Sequence, residues 1–375
     1  MKICIFPNDP IKAYYQKGEI KERYFNPENI FDEVHIISFT DIDVEEEKIQ
    51  KIAGNAKLII HTVGKINIKN RKKEISKILE LVKKINPDVI RSFNPLIQGW
   101  CAAFVADDLK IPFFVSLHTQ YDQNRKIAKK NNLKKFLALK YTEKIIEPFV
   151  LKNADRIIGV YKIIEPYVKK HTSRKIEILY NKVDCKKFQS GSKIEELPHP
   201  LILSVGNLTA LKNHALLINA MQKIDANLLI IGNGEQFSEL NNMISKLHLE
   251  DKIRIIKSVP HSEIQNYFKS ATIFTLAFNP EIESIPMPVM EAMATGLPIV
   301  IPYPKKGFSE GLEGIVLFSE MNSIDFSKNI QKILEDSELA KKLSKKSKEK
   351  SIEYDSDKNE NKEAKIYQEL INLEK

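Results

Sequence analysis

The chain has 375 residues, is 43% hydrophobic and 29% charged, and carries a formal net charge of +9. That length exceeds one ordinary core and suits two domains, while the composition excludes disordered and collagen-like chains. Three scattered cysteines (Cys4, Cys101, Cys185), with no C-x-x-C pair, point to a reducing compartment and no structural zinc.

The opening M-K-I-C-I-F-P offers four apolar residues before Pro7. That is too short for a signal peptide, and no later run reaches a membrane span, so a cytosolic protein is expected. Strands are then expected at Lys2–Phe6, Glu33–Ser38, 56–61, 88–91, 112–117, 156–160 and 175–180. These runs are rich in Val, Ile and Phe and barely alternate, as strands buried on both faces do. Helices such as 69–85 and 96–109 fill the gaps, so a parallel sheet wrapped by helices is predicted.

Residues 189–200 are polar, contain Gly191 and Ser192 and end in Pro-His-Pro, which reads as a linker. The pattern restarts with strands at Leu201–Val205, Asn227–Ile231, Ile253–Ile256, 273–278, Ile299–Pro302 and 315–318. Helices are expected from about Asn213 and over 236–247 and 262–269, and a last helix at 358–373. The predicted domains are 1–188, joined by a returning C-terminal helix from about 354, and 201–353. Two Rossmann-like halves of this kind form a cleft, with ligand loops after the carboxyl ends of the strands.

Three loops carry candidate chemistry. L-S-V-G-N-L-T-A-L-K places Gly206 at a strand end and Lys212 before a helix, where a bound phosphate would offset the poor fit of a cation to the macrodipole. I-I-G-N-G-E places Gly232 in a strand-to-helix turn; two glycines without the third are a weak dinucleotide signal. E-S-I-P-M-P-V-M-E-A-M-A-T-G spans Glu283 to Gly296, with Pro286 and Pro288 forbidding helix through Glu283–Met287. Pro288 suits the first helical position, which would put Glu291 in the first turn beside exposed N–H groups. A diphosphate there would lie between two carboxylates that suit sugar hydroxyls.

That last stretch resembles the E-x7-E signature of the family-4 retaining glycosyltransferases of the GT-B fold. V-G-N-L-T-A-L-K-N-H is similar to the family's phosphate loop, and L-L-I-I-G-N-G-E to its second glycine turn. H-T-Q-Y-D after the fifth strand resembles the loop that carries a histidine into the cleft. N-A-D-R-I-I-G-V and L-Y-N-K-V-D-C-K-K-F look like the segments that lead to the hinge. The resemblance implies an α/β GT-B protein with two Rossmann-like β/α/β domains facing across a cleft, and a transferase that retains the anomeric configuration.

It also implies roles. Glu283 would touch the transferred sugar, Glu291 the ribose, and Val259 would offer backbone to the base. Lys212 would hold the diphosphate with the N–H groups of Ser284, Ile285, Met287 and Val289, and Gly206, Asn207 and Gly232 would line the donor. His118 would sit near donor sugar and acceptor, with Arg91, Asp122 and Arg125 on the acceptor side. The chain departs from the family at Asn207, where arginine is usual, and at Ser284 and Pro286, where glycine is common. Lys182 and Lys257 also replace glycines, and Lys257, Arg91 and Arg125 are candidates for the missing positive charge.

Developing charge on a diphosphate leaving group calls for placed cations and N–H donors, and no metal or other cofactor is expected. Asp41-Ile42-Asp43 is a D-x-D triplet, but it lies in an acidic run and reads as a solvated face. Residues 1–190 carry 36 Lys+Arg against 23 Asp+Glu, and residues 121–182 carry 16 against 6. Within 133–151 an amphipathic helix reads as a domain helix with its apolar face inward. The other reading is a peripheral contact with an anionic membrane on the cytoplasmic side. No nucleic-acid module is present. The expected partners are a nucleotide-sugar and a saccharide or lipid-linked acceptor of cell-surface polysaccharide, glycoprotein or glycolipid synthesis. Two rival functions are a silent transferase-like binding subunit and a nicotinamide-dependent oxidoreductase, the latter lacking a G-x-G-x-x-G after the first strand.

Overall fold

The computed structural model describes residues 1–372 apart from Lys17 and Glu19. The chain divides into two compact units, residues 1–180 with 360–375, and residues 181–359.

The first unit holds β1 (Lys2–Phe6), β2 (Glu33–Ser38), β3 (Lys57–Thr62), β4 (Val89–Ser92), β5 (Phe113–Leu117), β6 (Arg156–Gly159) and β7 (Ile176–Ile178). They form one parallel sheet in the order β3-β2-β1-β4-β5-β6-β7. Every residue of β4 and β5 is buried, which is why these runs lack alternation. The helix Arg71–Ile85 buries Ile75, Ile78, Val82 and Ile85 at helical spacing and stops where Asn86 turns left-handed. It starts later than position 69 because Asn67 and Asn70 spend their side chains on the preceding loop. The core joins Ile3, Ile5, Val34, Ile36 and Phe114 to Tyr367 of the last helix, Ser356–Asn372. Tyr367 meets Phe31 and Phe114 edge-on, both at 5.2 Å.

The second unit holds β8 (Leu201–Val205), β9 (Asn227–Ile231), β10 (Ile253–Ile256), β11 (Ile273–Thr275), β12 (Ile299–Pro302) and β13 (Leu317–Ser319). They also form a parallel sheet, in the order β10-β9-β8-β11-β12-β13. Its core includes Ile202, Leu217, Leu228, Ile230, Val300, Phe326 and Ile330. In both sheets the strand order reverses at the centre, between β1 and β4 and between β8 and β11. The crevice outside such a reversal is where doubly wound sheets take ligands.

Three sequence expectations shift. The run 273–278 ends as strand at Thr275, because the chain then turns so that the Asn279 N–H reaches the Leu211 carbonyl. Residues 181–188 group with the second unit rather than the first. Val183 bridges to Asp355, and Phe188 packs edge-on against Phe268 at 5.3 Å. Residues 189–200 are also held there: the Ser192 N–H reaches Asn266 and the Ile194 N–H reaches Ser270, both on or beside the helix Ile264–Ser270.

Candidate functional site

The two loops that leave the central strands of the second unit meet. After β8 the chain runs through Gly206 to Asn213, whose left-handed backbone (φ 46°) turns it into the helix His214–Ala220. After β11 the Asn279 N–H bonds the Leu211 carbonyl at 2.8 Å. The same asparagine accepts from the N–H groups of Glu281, Ile282 and Glu283 through its side chain and carbonyl. Asn279 thus ties one loop to the other and folds the second back. The outcome is an ion pair, Lys212 Nζ to Glu283 Oε2 at 2.5 Å, with the side chains 14% and 29% exposed. Its part-exposure leaves both groups reachable by a ligand.

Pro286 caps the helix Met287–Thr295 in an extended conformation, so the helix opens at Met287 and Pro288 is its second residue. The first turn therefore contains no acid, and Glu291 lies one residue further in than the sequence suggests, at the start of the second turn. The Val289 N–H is also taken, donating to the Pro286 carbonyl at 2.9 Å. Among the described residues, the N–H groups of Ser284, Ile285 and Met287 make no hydrogen bond, and the buried Ser284 Oγ has no partner. Unspent donors at a helix start, with a hydroxyl and a lysine on neighbouring loops, form an anion-binding set.

The glycine turn has a packing role. A Cβ on Gly232 would lie 1.9 Å from the Gly206 carbonyl oxygen, and one on Gly234 would lie 2.4 Å from that of Leu208. The absence of side chains lets this turn bond the lysine loop, with Leu208 N–H to the Asn233 carbonyl at 2.9 Å and Gln236 N–H to the Leu208 carbonyl at 3.1 Å. Gly206 itself has room, its nearest neighbour being the Lys212 stem at 3.6 Å. His214, unremarked in the sequence, is buried beneath the loop with Nδ1 at 3.3 Å from Ser204 Oγ. Burial, aided by the charge of Lys212, pushes its pKa down to about 4. Lys257 lies over the Phe237 ring at 4.4 Å, while Asn207 is exposed and Val259 half-buried. Asn279 is the site residue least legible in the sequence, since only its bond to the other loop reveals it.

In the first unit, His118 follows β5 and stacks on Phe93 at 5.5 Å. Its Nε2 is buried without a partner, and burial together with the nearby Arg91 charge pushes its pKa down to about 4, so the ring is neutral at pH 7. Arg91 is not a spare cation. It is buried, paired with Glu363 of the last helix, and donates to Tyr367 Oη at 2.7 Å and Ser116 Oγ at 2.9 Å. Its guanidinium also lies 4.2 Å from the Phe93 ring centre. Arg125 is likewise committed, donating to both Glu147 oxygens at 2.9 Å and to Asp122 at 2.7 Å. Asp122 takes a second cation, Lys170, at 2.5 Å. None of these three acceptor-side candidates presents a free charge. At the β1–β4 reversal, Asn94 donates to Asn8 at 3.0 Å, a polar pair that no sequence motif flagged.

Asp43 is not a solvated acid. It accepts from the N–H groups of Ile11, Lys12 and Val44 and from the Ser38 hydroxyl, which fixes the start of the helix Ile11–Gln16. Among the described residues, no group of three His, Cys, Asp or Glu side chains is placed to hold a metal ion. No helix among them is long and apolar enough to cross a membrane.

Two units, each a doubly wound parallel sheet with helices, define an α/β protein of GT-B architecture. Residues 32–187 match the model of Glycosyltransferase Family 4, and residues 186–350 that of Glycosyl transferases group 1. The chain belongs to this glycosyltransferase family. An uncharacterised glycosyltransferase of Haemophilus influenzae is 27% identical, covering 80% of this chain and 82% of its own. A Campylobacter jejuni N-acetylgalactosaminyltransferase acting on a diphospho-undecaprenol glycan is 32% identical over 48% of this chain and 50% of its own. Among solved structures, sucrose-phosphate synthase of Thermosynechococcus elongatus shares the fold at a TM-score of 0.75 with 15% identity, each chain covered fully. Anabaena HepE, solved with UDP, also has a TM-score of 0.75, with 13% identity over 98% of this chain and all of its own.

Proposed function

We propose that the chain transfers a sugar, with retention, from a nucleotide-diphosphate-sugar to a saccharide or lipid-linked acceptor in the synthesis of cell-surface polysaccharide, glycoprotein or glycolipid. The observation that carries this reading is the Lys212–Glu283 pair beside the unspent N–H groups of Ser284, Ile285 and Met287. A diphosphate outcompetes one carboxylate for Lys212. Its arrival frees Glu283 to accept from sugar hydroxyls, while Glu291 takes the ribose. Charge that builds on the leaving diphosphate is then met by Lys212 and the helix start, donors already in place before the bond breaks. On this reading the reaction needs no divalent cation.

The relatives support the choice of substrates. The Anabaena protein was solved with UDP and with UDP-glucose, and the names of the C. jejuni transferase and of a Streptococcus pneumoniae monoglucosyldiacylglycerol synthase carry lipid-borne acceptors or products. The same reading places the chain on the cytoplasmic side of a membrane, with an anionic surface as the partner of its basic half.

A thermal-shift panel of nucleotide-sugars tests the donor. One of them should raise the melting temperature, Glu291→Ala should abolish the shift, and Glu283→Ala should cut turnover far more than nucleotide binding. No shift with any donor would sink the enzyme reading, and loss of turnover in a chelator would sink metal independence. Asn207 and the commitment of Arg91 and Arg125 favour one second reading, a silent binding subunit. That reading predicts a thermal shift with no transfer to any acceptor.

A further inference from the structure

We propose that the segment from Lys126 to Ile145 is a docking surface for an anionic lipid bilayer. Leu133, Leu137, Tyr141 and Ile145 are 65%, 59%, 39% and 53% exposed, so the apolar face lies outward, opposite to the inward packing read from the sequence. They recur every fourth residue along the helix Leu133–Tyr141 and the π-helical turn Thr142–Ile146 that continues it. A four-residue repeat drifts slowly around an α-helix, which needs slightly fewer residues per turn, and the wider π turn takes up that drift. Ile145 therefore stays in line with the other three. No residue of the helix Leu133–Tyr141 is buried, whereas the chain beyond it is anchored by Ile146, Val150 and Leu151.

Charge identifies the occupant. Residues 121–146 hold eight Lys+Arg against Asp122 and Glu143. Both acids are engaged from within the unit, Asp122 by Arg125 and Lys170, Glu143 by Lys140 and Arg125. Lys126, Lys129, Lys130, Lys134, Lys135 and Lys144 are exposed and make no ion pair among the described residues. An apolar stripe framed by unpaired lysines complements a surface with anionic headgroups above hydrocarbon. Two copies of the chain would face each other with like charge. Nucleic acid would gain nothing from exposed leucine and isoleucine.

The surface is held firmly from below. Glu147, wholly buried, receives Arg125, Thr142 Oγ1 at 2.7 Å and Tyr167 Oη at 2.6 Å, and Arg71 donates to Tyr141 Oη at 2.7 Å. It also begins near the chemistry assigned above, since the helix Tyr121–Asn131 starts three residues after His118. A chain seated by this segment would carry the His118 loop close to the bilayer, where a lipid-borne acceptor lies. That consequence for the acceptor rests on the transfer reading, but the surface itself does not.

Flotation of the full chain with phosphatidylcholine vesicles, alone or with about a third phosphatidylglycerol, tests the proposal. Anionic vesicles should carry the protein and neutral ones should not. The triple variant Leu133→Ser, Leu137→Ser, Ile145→Ser should lower the partition coefficient at least about tenfold while its melting curve stays unchanged, since all three side chains are exposed. The variant Lys129→Gln, Lys130→Gln, Lys134→Gln, Lys135→Gln should lose the salt-sensitive part of binding. Equal recovery with both vesicle types, or unaltered partition of the triple variant, would overturn the proposal. A dimer dissolved by the serine variant without vesicle binding, or retention of RNA in place of vesicles, would overturn it as well. Because flotation reads no turnover, a chain that floats yet transfers no sugar sinks the function and leaves the surface standing.

Discussion

Lys212–Glu283 and Arg125–Glu147 are both a basic side chain held by a glutamate, yet they do opposite work. Lys212 and Glu283 are 14% and 29% exposed and are joined by one contact between two loops. Arg125 and Glu147 are 5% and 0% exposed, and each carboxylate oxygen accepts a further hydroxyl. A buried, fully bonded pair cannot exchange partners without leaving a bare charge in the core. A part-exposed pair can trade its carboxylate for an incoming phosphate at small cost. Geometry thus separates a strut from a pair open to a ligand, although both appear in the sequence as scattered basic and acidic residues.

The largest expected effect comes from breaking the strut. Arg125→Met leaves Glu147 charged and buried and should cost about 3–5 kcal/mol of stability, read as a fall in the urea midpoint. A loss below about 1 kcal/mol would mean that Glu147 finds other support. Next comes Lys212→Ala. Turnover should fall by about 10²–10³, with a stability change of no more than about 1 kcal/mol. A comparable loss of stability would put Lys212 among the struts.

The smallest effect is the pH dependence of two histidines, His118 and His214, whose pKa values are pushed down to about 4. In the unfolded chain both titrate near about 6.5. The unfolded state therefore binds more protons between these values, and stability falls as pH drops through that window. Going from pH 7 to pH 6 should cost about 1 kcal/mol for the pair. His118→Gln with His214→Gln should flatten the profile of melting temperature against pH. An unchanged slope would show that neither ring is neutral in the fold for the reason given.

Much of this was legible in the chain. Apolar runs without alternation marked the central strands, and β1, β2, β8, β9, β10 and β12 fall where their Val, Ile and Leu runs lie. The proposed donor-side residues Lys212, Glu283 and Glu291 stood out because Gly, Pro and charged residues punctuate strand-to-helix junctions in a short local pattern. Glu291 was placed one residue too early, inside the first turn, because Pro286 and Pro288 both suit a helix start, and only the backbone shows that Pro286 is the cap. Arg91, Asp122 and Arg125 looked available because partners distant in sequence are invisible there, and Glu363 lies 272 residues from Arg91.

By itself the sequence determined two parallel α/β units, the order of their strands along the chain and the loops that are candidates for donor binding, because these follow from local periodicity and turn residues. Tertiary structure alone decided which cations are free and which are buried, that Gly232 serves packing, and that Asn279 ties the lysine loop to the glutamate loop. It also decided that the apolar face at 133–145 points outward. A hydrophobic pattern shows that a helix has two faces, but what lies against each face is set by the rest of the chain.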